Sequence, residues 1–165
     1  MNDIVIRMAE LEDLQAIKTI YNEGIEDRIA TLETELKDEA FMNDWFERHQ
    51  GRFKVFVAEL NNEVIGWASL NSYNSRCAYN GVADLSLYIA RAYRGKGVGN
   101  TLLQAIENAA KNNDFHKIVL STFPFNQLGQ GLYRKRGFRE VGVFVNQGVL
   151  DGQYVDVMMM EKLLS

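Results

Sequence analysis

The hydrophobic period of this chain switches sharply across a glycine-rich hexapeptide, and that switch limits the folds open to it. Leu85, Leu87 and Ile89 alternate with Ser86, Tyr88 and Ala90, the period of two expected of a strand with one face on a core. Val98, Leu102, Leu103, Ile106, Ala109 and Ala110 then recur at helical spacing, and Asn112, Asn113 and Asp114 follow Lys111 as stop signals. Between them run Arg94, Gly95, Lys96, Gly97, Val98 and Gly99, so the stretch from Asp84 to Lys111 reads as strand, glycine turn, helix. A helix N-terminus carries unpaired N–H groups and partial positive charge, and is suited to an anion. Glycines let the backbone approach such a ligand closely, and Arg94 and Lys96 add whole charges.

Spacing separates the phosphate-binding motifs that such a turn could represent. A Walker A loop needs Ser or Thr after its Lys, whereas Lys96 is followed by Gly97. Counted from Gly95, a GxGxxG fingerprint needs glycine where Asn100 stands. Arg-x-x-Gly-x-Gly fits, on Arg94, Gly97 and Gly99. A glycine-rich connection without a ligand is the competing reading of these six residues taken alone.

At 165 residues the length predicts one domain. The apolar share of 47% and charged share of 24% are those of a folded globular protein. A net charge of −4 with scattered basic residues argues against nucleic acid as the main partner. The lone Cys77 excludes an internal disulfide and a multi-cysteine zinc site. MNDIVIRMAELEDL lacks the basic and apolar pattern of a signal peptide, and no apolar run reaches membrane-spanning length, so cytoplasm is the expected compartment.

Taken in order, Ile4 and Ile6 begin a short strand, and Ala9 to Asp13 turns into a helix through Leu14, Ile17, Ile20 and Tyr21. YNEGIEDRIATLETE lacks a clear period, and Glu39 to His49 forms a second helix on Phe41, Trp45 and Phe46. A loop between these helices is placed to wall a pocket. Lys54 to Leu60 and Glu63 to Asn71 form a hairpin about Asn61 and Asn62. Lys117 to Phe123 is a β-branched strand ended by Pro124, and Asn126 to Arg136 a short helix closed by Gly137. Phe138 to Asn146 pairs with Gln153 to Lys162 about Asp151 and Gly152. One βαβ crossover flanked by antiparallel strands gives a mixed sheet of the α+β class, not a Rossmann sheet.

On Arg94, Gly97 and Gly99 the sequence resembles the GCN5-related N-acetyltransferases. NQLGQGLYRKRGF adds a second motif in the right order, on Asn126, Tyr133, Gly137 and Phe138. The likeness extends to the phosphinothricin and methionine sulfoximine acetyltransferase branch through Ile20 to Glu35, Ala68 to Tyr79, the strand from Asp84, and the VDVMMMEKLL ending. The resemblance implies a three-layer α/β/α domain over residues 1–165, with a mostly antiparallel mixed sheet and an acetyl-CoA-binding βαβ core. It implies a homodimer and a small amino-acid substrate; the lone cysteine and the spacing of the two histidines predict no metal. Cofactor contacts are implied at Leu87, Tyr88, Ile89, Arg94, Gly95, Lys96, Gly97, Val98, Gly99, Asn100, Asn126 and Tyr133, with the backbone amides of Tyr88 and Ile89 serving the pantetheine.

The chemistry of amine attack on a thioester needs a proton acceptor, a donor for the oxyanion and an acid for the thiolate. An α-amine titrates near ~8, so it starts largely protonated at neutral pH. Asp84 stands where the branch carries a glutamate base and, being one methylene shorter, is expected to act through a water. Tyr133 stands where the wider family has the tyrosine near the CoA sulfur, and the branch often has histidine. A strand-edge carboxylate and a packed aromatic are the competing readings of these two residues. Arg76 matches the second of two arginines in the branch pattern, with Asn74 at the first, and can pair bidentately with a carboxylate or phosphinate. Tyr79, Tyr73, Thr31, Glu33 and Val145 complete the expected acceptor pocket.

His49 and His116 lie outside every motif and are read as structural or surface residues, Cys77 has no histidine partner, and Met158 to Met160 are read as strand core. The reading is an acetyl-CoA-dependent N-acetyltransferase acting on the α-amine of a small amino acid or toxic analogue in a ternary complex. The rivals are acetylation of a protein N-terminus or lysine, and a non-catalytic acyl-CoA sensor.

Overall fold

The structure, a computed structural model, describes residues 3–165. Its strands are β1 (Val5–Met8), β2 (Val55–Leu60), β3 (Glu63–Ser72), β4 (Val82–Ile89), β5 (Lys117–Thr122), β6 (Arg139–Leu150) and β7 (Gln153–Leu163). The helices are α1 (Leu14–Glu26), α2 (Glu39–Arg48), α3 (Val98–Asn112) and α4 (Gln127–Lys135). The strands form one sheet in the order β1-β2-β3-β4-β5-β7-β6. Every neighbouring pair is antiparallel except β4 with β5. That parallel pair is short, with Val82, Ala83 and Asp84 opposite Lys117, Ile118 and Val119. Beyond Asp84 the two strands are not laddered to each other, so the edge of Leu85 to Ile89 that faces away from β3 is open.

Alternation along β3 sends neighbouring side chains to opposite layers. Trp67 packs with Ile17, Ile20, Ile25, Met42 and Trp45 of α1 and α2. Ala68 and Leu70 pack with Leu102, Leu103 and Ile106 of α3. Those three α3 side chains are fully buried, and each contributes about 1.5–3 kcal/mol by leaving water. The sheet therefore lies between two helical layers, the α+β architecture expected from the order of elements. At the far end of α3, the buried Glu107 carboxylate binds Arg136 at 3.1 Å and the Lys162 ammonium. This ties α3 to the end of α4 and to β7. No helix among the described residues is long and apolar enough to cross a membrane.

Three boundaries differ from the sequence expectation. A 3-10 turn, Leu11–Asp13, precedes α1 because the Asp13 carboxylate accepts from the Glu10 N–H and from Arg7. Helix α1 then runs on through Glu26, into the stretch that showed no period. Gly24 allows this: a Cβ there would lie 2.7 Å from the Tyr88 ring, so the helix approaches β4 only where it has no side chain. Strand β6 continues to Leu150, past an irregularity between Phe144 and Gly148 at which Asn146 takes a φ of 51°. Met158 and Met160 are buried, and Met159 is packed against a smaller cluster with Phe123.

Candidate functional site

A cavity of about 700 Å³ opens where β4 and β5 part. Its walls are the loop after α1 (Ile29 to Glu33), β4, the glycine turn, the end of β5 and α4. The loop belongs to the same chain and is pinned across the molecule: Arg28 pairs with Asp151 at 2.9 Å, and Leu32 packs against Gly148.

One end of the cavity suits a phosphate-bearing chain. Gly97 caps α3 with a φ of 89°, a left-handed conformation that a side chain would strain. Gly95, Gly97, Gly99 and Asn100 line the cavity there, beside the open edge of β4 at Leu87, Tyr88 and Ile89. An extended ligand can add to that edge as a strand does, with its anionic end at the helix N-terminus. Acetyl-CoA has this shape and charge, and these residues fit it. Val98, by contrast, is not part of the lining, because its side chain is buried in the core. Lys96 is exposed, outside the lining, with its ammonium 5.8 Å from the Tyr93 ring. Arg94 lines the cavity but is held by Asp27 and donates to the Ile89 carbonyl at 3.2 Å. Asn126 is also engaged: its Oδ1 caps α4 by accepting from the Gly129 N–H at 3.0 Å, and its Nδ2 faces Thr122.

The other end carries the titratable groups. Asp84 lies at the last position of β4 that pairs with β5, where burial pushes its carboxyl up to about 6. Asn71, its cross-strand partner on β3, offsets part of that shift by donating from Nδ2 to Asp84 Oδ2 at 3.2 Å. Asp84 is therefore mostly ionised at neutral pH yet basic enough to take a proton. Burial, and secondarily the Asp84 charge, push the Tyr133 phenol up to about 12, so it remains a donor. Glu33 is opposed by burial, but Lys37 and the Tyr21 hydroxyl outweigh this and hold its carboxyl below the usual range. Thr31 donates to the same carboxylate at 3.2 Å. Tyr88 stacks on Trp67 at 4.9 Å, and burial keeps its phenol protonated. The cavity wall thus presents two carboxylates, Glu33 and Asp84, which attract an ammonium.

The structure brings Asp84, Tyr133, Asn126, Thr31 and Glu33 to one cavity, and it does not bring the rest of the expected acceptor pocket there. Tyr73, Arg76, Tyr79 and Val145 are exposed and outside the lining. Arg76 caps a short 3-10 turn, Cys77–Tyr79, and Tyr79 packs edge to face at 5.6 Å on Tyr73, which precedes the turn. Val145 projects from the irregular part of β6 and is 74% exposed. Conversely, His49 lies outside every sequence motif, yet its Nε2 is 2.7 Å from Asn71 Oδ1. The pairing of β3 with β4 places Asn71 opposite Asp84, and nothing local in the sequence marks either Asn71 or His49.

The acetyltransferase (GNAT) family model matches residues 15–138. YwnH of Bacillus subtilis (strain 168), which carries the provisional name of phosphinothricin acetyltransferase, is 36% identical over 98% of this chain and 100% of its own. The L-methionine sulfoximine/L-methionine sulfone acetyltransferase of Pseudomonas aeruginosa is 30% identical over 94% of this chain and 92% of its own. A crystal structure of a phosphinothricin acetyltransferase from Sinorhizobium meliloti in complex with AcCoA superposes with a TM-score of 0.93 at 27% identity. It covers 98% of this chain and 89% of that one.

Proposed function

The chain belongs to the acetyltransferase (GNAT) family, and from that premise we propose that it moves an acetyl group from acetyl-CoA to the α-amine of a small amino acid or analogue, of the phosphinothricin or methionine sulfoximine type. The observation that carries the reading is one cavity in which a carboxyl raised to about 6 and a protonated phenol stand beside an open strand edge and a helix N-terminus. The names of the relatives supply the substrate class.

Each residue then has a task. Bound acetyl-CoA supplies the thioester. The N–H groups of the α3 N-terminus, with Arg94, bind its phosphates, and the β4 edge at Tyr88 and Ile89 aligns its arm and offers a donor to the carbonyl oxygen. Glu33 and Asp84 attract the ammonium. Asp84 accepts the amine proton through a water, the freed amine attacks in the ternary complex, and Tyr133 protonates the departing thiolate. Within the cavity, the acceptor pocket is assigned to Thr31, Glu33 and Asp84. We also propose one domain over residues 1–165, a cytoplasmic homodimer with a detoxifying role, and no metal, nucleic-acid or membrane partner. The exposed Val141, Val143 and Val149 on the edge strand β6 support the dimer.

Thiol release from acetyl-CoA against phosphinothricin, methionine sulfoximine, ordinary amino acids and a lysine-bearing peptide tests this. Turnover is expected with the amino acids and analogues; turnover with the peptide alone overturns the substrate class. Arg94→Ala is expected to weaken acetyl-CoA binding by about 1.5–3 kcal/mol, the worth of a charged hydrogen bond. Titration calorimetry showing an unchanged Kd removes Arg94 from the phosphate site.

A further inference from the structure

A chain of hydrogen bonds runs from Asp84 away from the cavity, through the sheet, to the end of α2. Asn71 sits at its centre. Its Nδ2 donates to Asp84 Oδ2 at 3.2 Å and to Ser86 Oγ at 2.9 Å, while its Oδ1 accepts from Ser69 Oγ at 2.9 Å. His49 Nε2 lies 2.7 Å from the same oxygen. His49 is in turn held by its own helix: Nδ1 faces the Trp45 carbonyl at 2.8 Å, and the ring packs on the Trp45 indole at a centroid distance of 4.5 Å.

An amide can occupy this position in two orientations, and the partners decide between them. With Oδ1 toward His49 and Ser69, both hydrogens of Nδ2 are spent on Asp84 and Ser86. Turned over, the amide would set its oxygen against a carboxylate oxygen, an acceptor against an acceptor, and would favour Asp84 only in its protonated form. Both His49 nitrogens face oxygen acceptors, so an imidazolium satisfies both and a neutral ring only one. An N–H on Nε2 favours the orientation that supports the carboxylate.

We propose that His49 is a positioning residue for the transfer reaction: by donating to Asn71 it fixes the amide orientation that keeps Asp84 an oriented carboxylate facing the cavity. This rests on the reading of Asp84 as the base. His49 is itself only partly buried, at the C-terminal end of α2. Among the described residues, Asn71 supplies the sole side-chain hydrogen bond to Asp84. The other titratable groups that bear on Asp84 are Tyr133 of α4, Tyr88 of its own strand and, beyond Tyr88, Glu33 of the loop. The Arg48–Asp44 ion pair lies exposed on α2, the helix that His49 caps.

The test is the carboxyl titration of Asp84, read by 13C NMR in the ligand-free protein and compared with the acid limb of kcat/KM. In His49→Ala the Asp84 titration is expected to move upward by about one pH unit, the worth of one hydrogen bond to a charged group. His49→Gln, whose amide N–H can reach Asn71, is expected to return most of it. A purely structural His49 would lower stability in both variants and leave the Asp84 titration in place. Identical titrations in the parent and His49→Ala, or no recovery in His49→Gln, overturn the proposal. Because the titration reads the link directly, its failure is distinguishable from failure of the base assignment, which shows instead as full turnover in Asp84→Asn.

Discussion

Asp84→Asn is expected to lower kcat/KM by about 10²- to 10⁴-fold, the usual contribution of a positioned general base, and to make the protein more stable. The two effects share a cause. Burial raises the Asp84 carboxyl from 3.8 to about 6. A group whose pKa is higher in the folded state than in the unfolded state stabilises the fold in its protonated form. That contribution is fully present below pH ~4 and lost as pH rises through about 6. At neutral pH the native protein therefore carries an ionised Asp84 at a cost of up to about 3 kcal/mol. Asparagine removes that cost and keeps a partner for Asn71. Thermal melts at pH 7.5 should show a higher Tm for the variant, and at pH 4 the difference should shrink. The parent should show an acid limb in kcat/KM near pH 6. Unchanged turnover in Asp84→Asn would leave the fold and the cofactor site standing and remove the base.

The largest loss of stability is expected from Glu107→Ala. Its carboxylate is 5% exposed and holds two cations, Arg136 and Lys162, on two other elements. Deleting it leaves both without that partner in a partly buried setting, at a cost of about 3 kcal/mol or more. For a chain of this size that lowers Tm by roughly 6–12 °C. The effect should reach function as well. Arg136 caps the helix that carries Tyr133, so loosening it separates the phenol from the turn at Gly97 that α3 presents. A melt coincident with the parent's would show that the cluster is only decorative.

Much of this was legible in the residues, and the reason is locality. The strand, turn and helix about Gly97 are specified within the segment itself, and Asn61 and Asn62 both take the positive φ (52° and 65°) that a tight hairpin asks of them. Asn126 announces the start of α4 by capping it. The departures came from distant partners. Gly24 lets α1 continue only because Tyr88 lies across it. Arg94, whose motif gives no hint of a partner within the protein, also pairs with Asp27, 67 positions away. Arg76, Tyr73 and Tyr79 stay outside the cavity because the connection from β3 to β4, with its short 3-10 turn at Cys77–Tyr79, leaves them at the surface, which no periodicity foretells. His49 gains significance only when α2 packs beside β3, bringing together residues 22 apart.

The brief pairing of β4 with β5 has one further consequence. The sheet is in effect two half-sheets, β1 to β4 and β5-β7-β6, joined by three opposed residue pairs at the point where Asp84 sits. A long ligand lying in the split serves as the rungs that the ladder omits, so occupancy and cohesion become one quantity. A ligand present at 100 times its Kd adds about 2.7 kcal/mol to the folded state. On the proposed function, the resistance of this fold to unfolding would report how much acetyl donor its surroundings contain, and the molecule would be least cohesive when it has nothing to transfer.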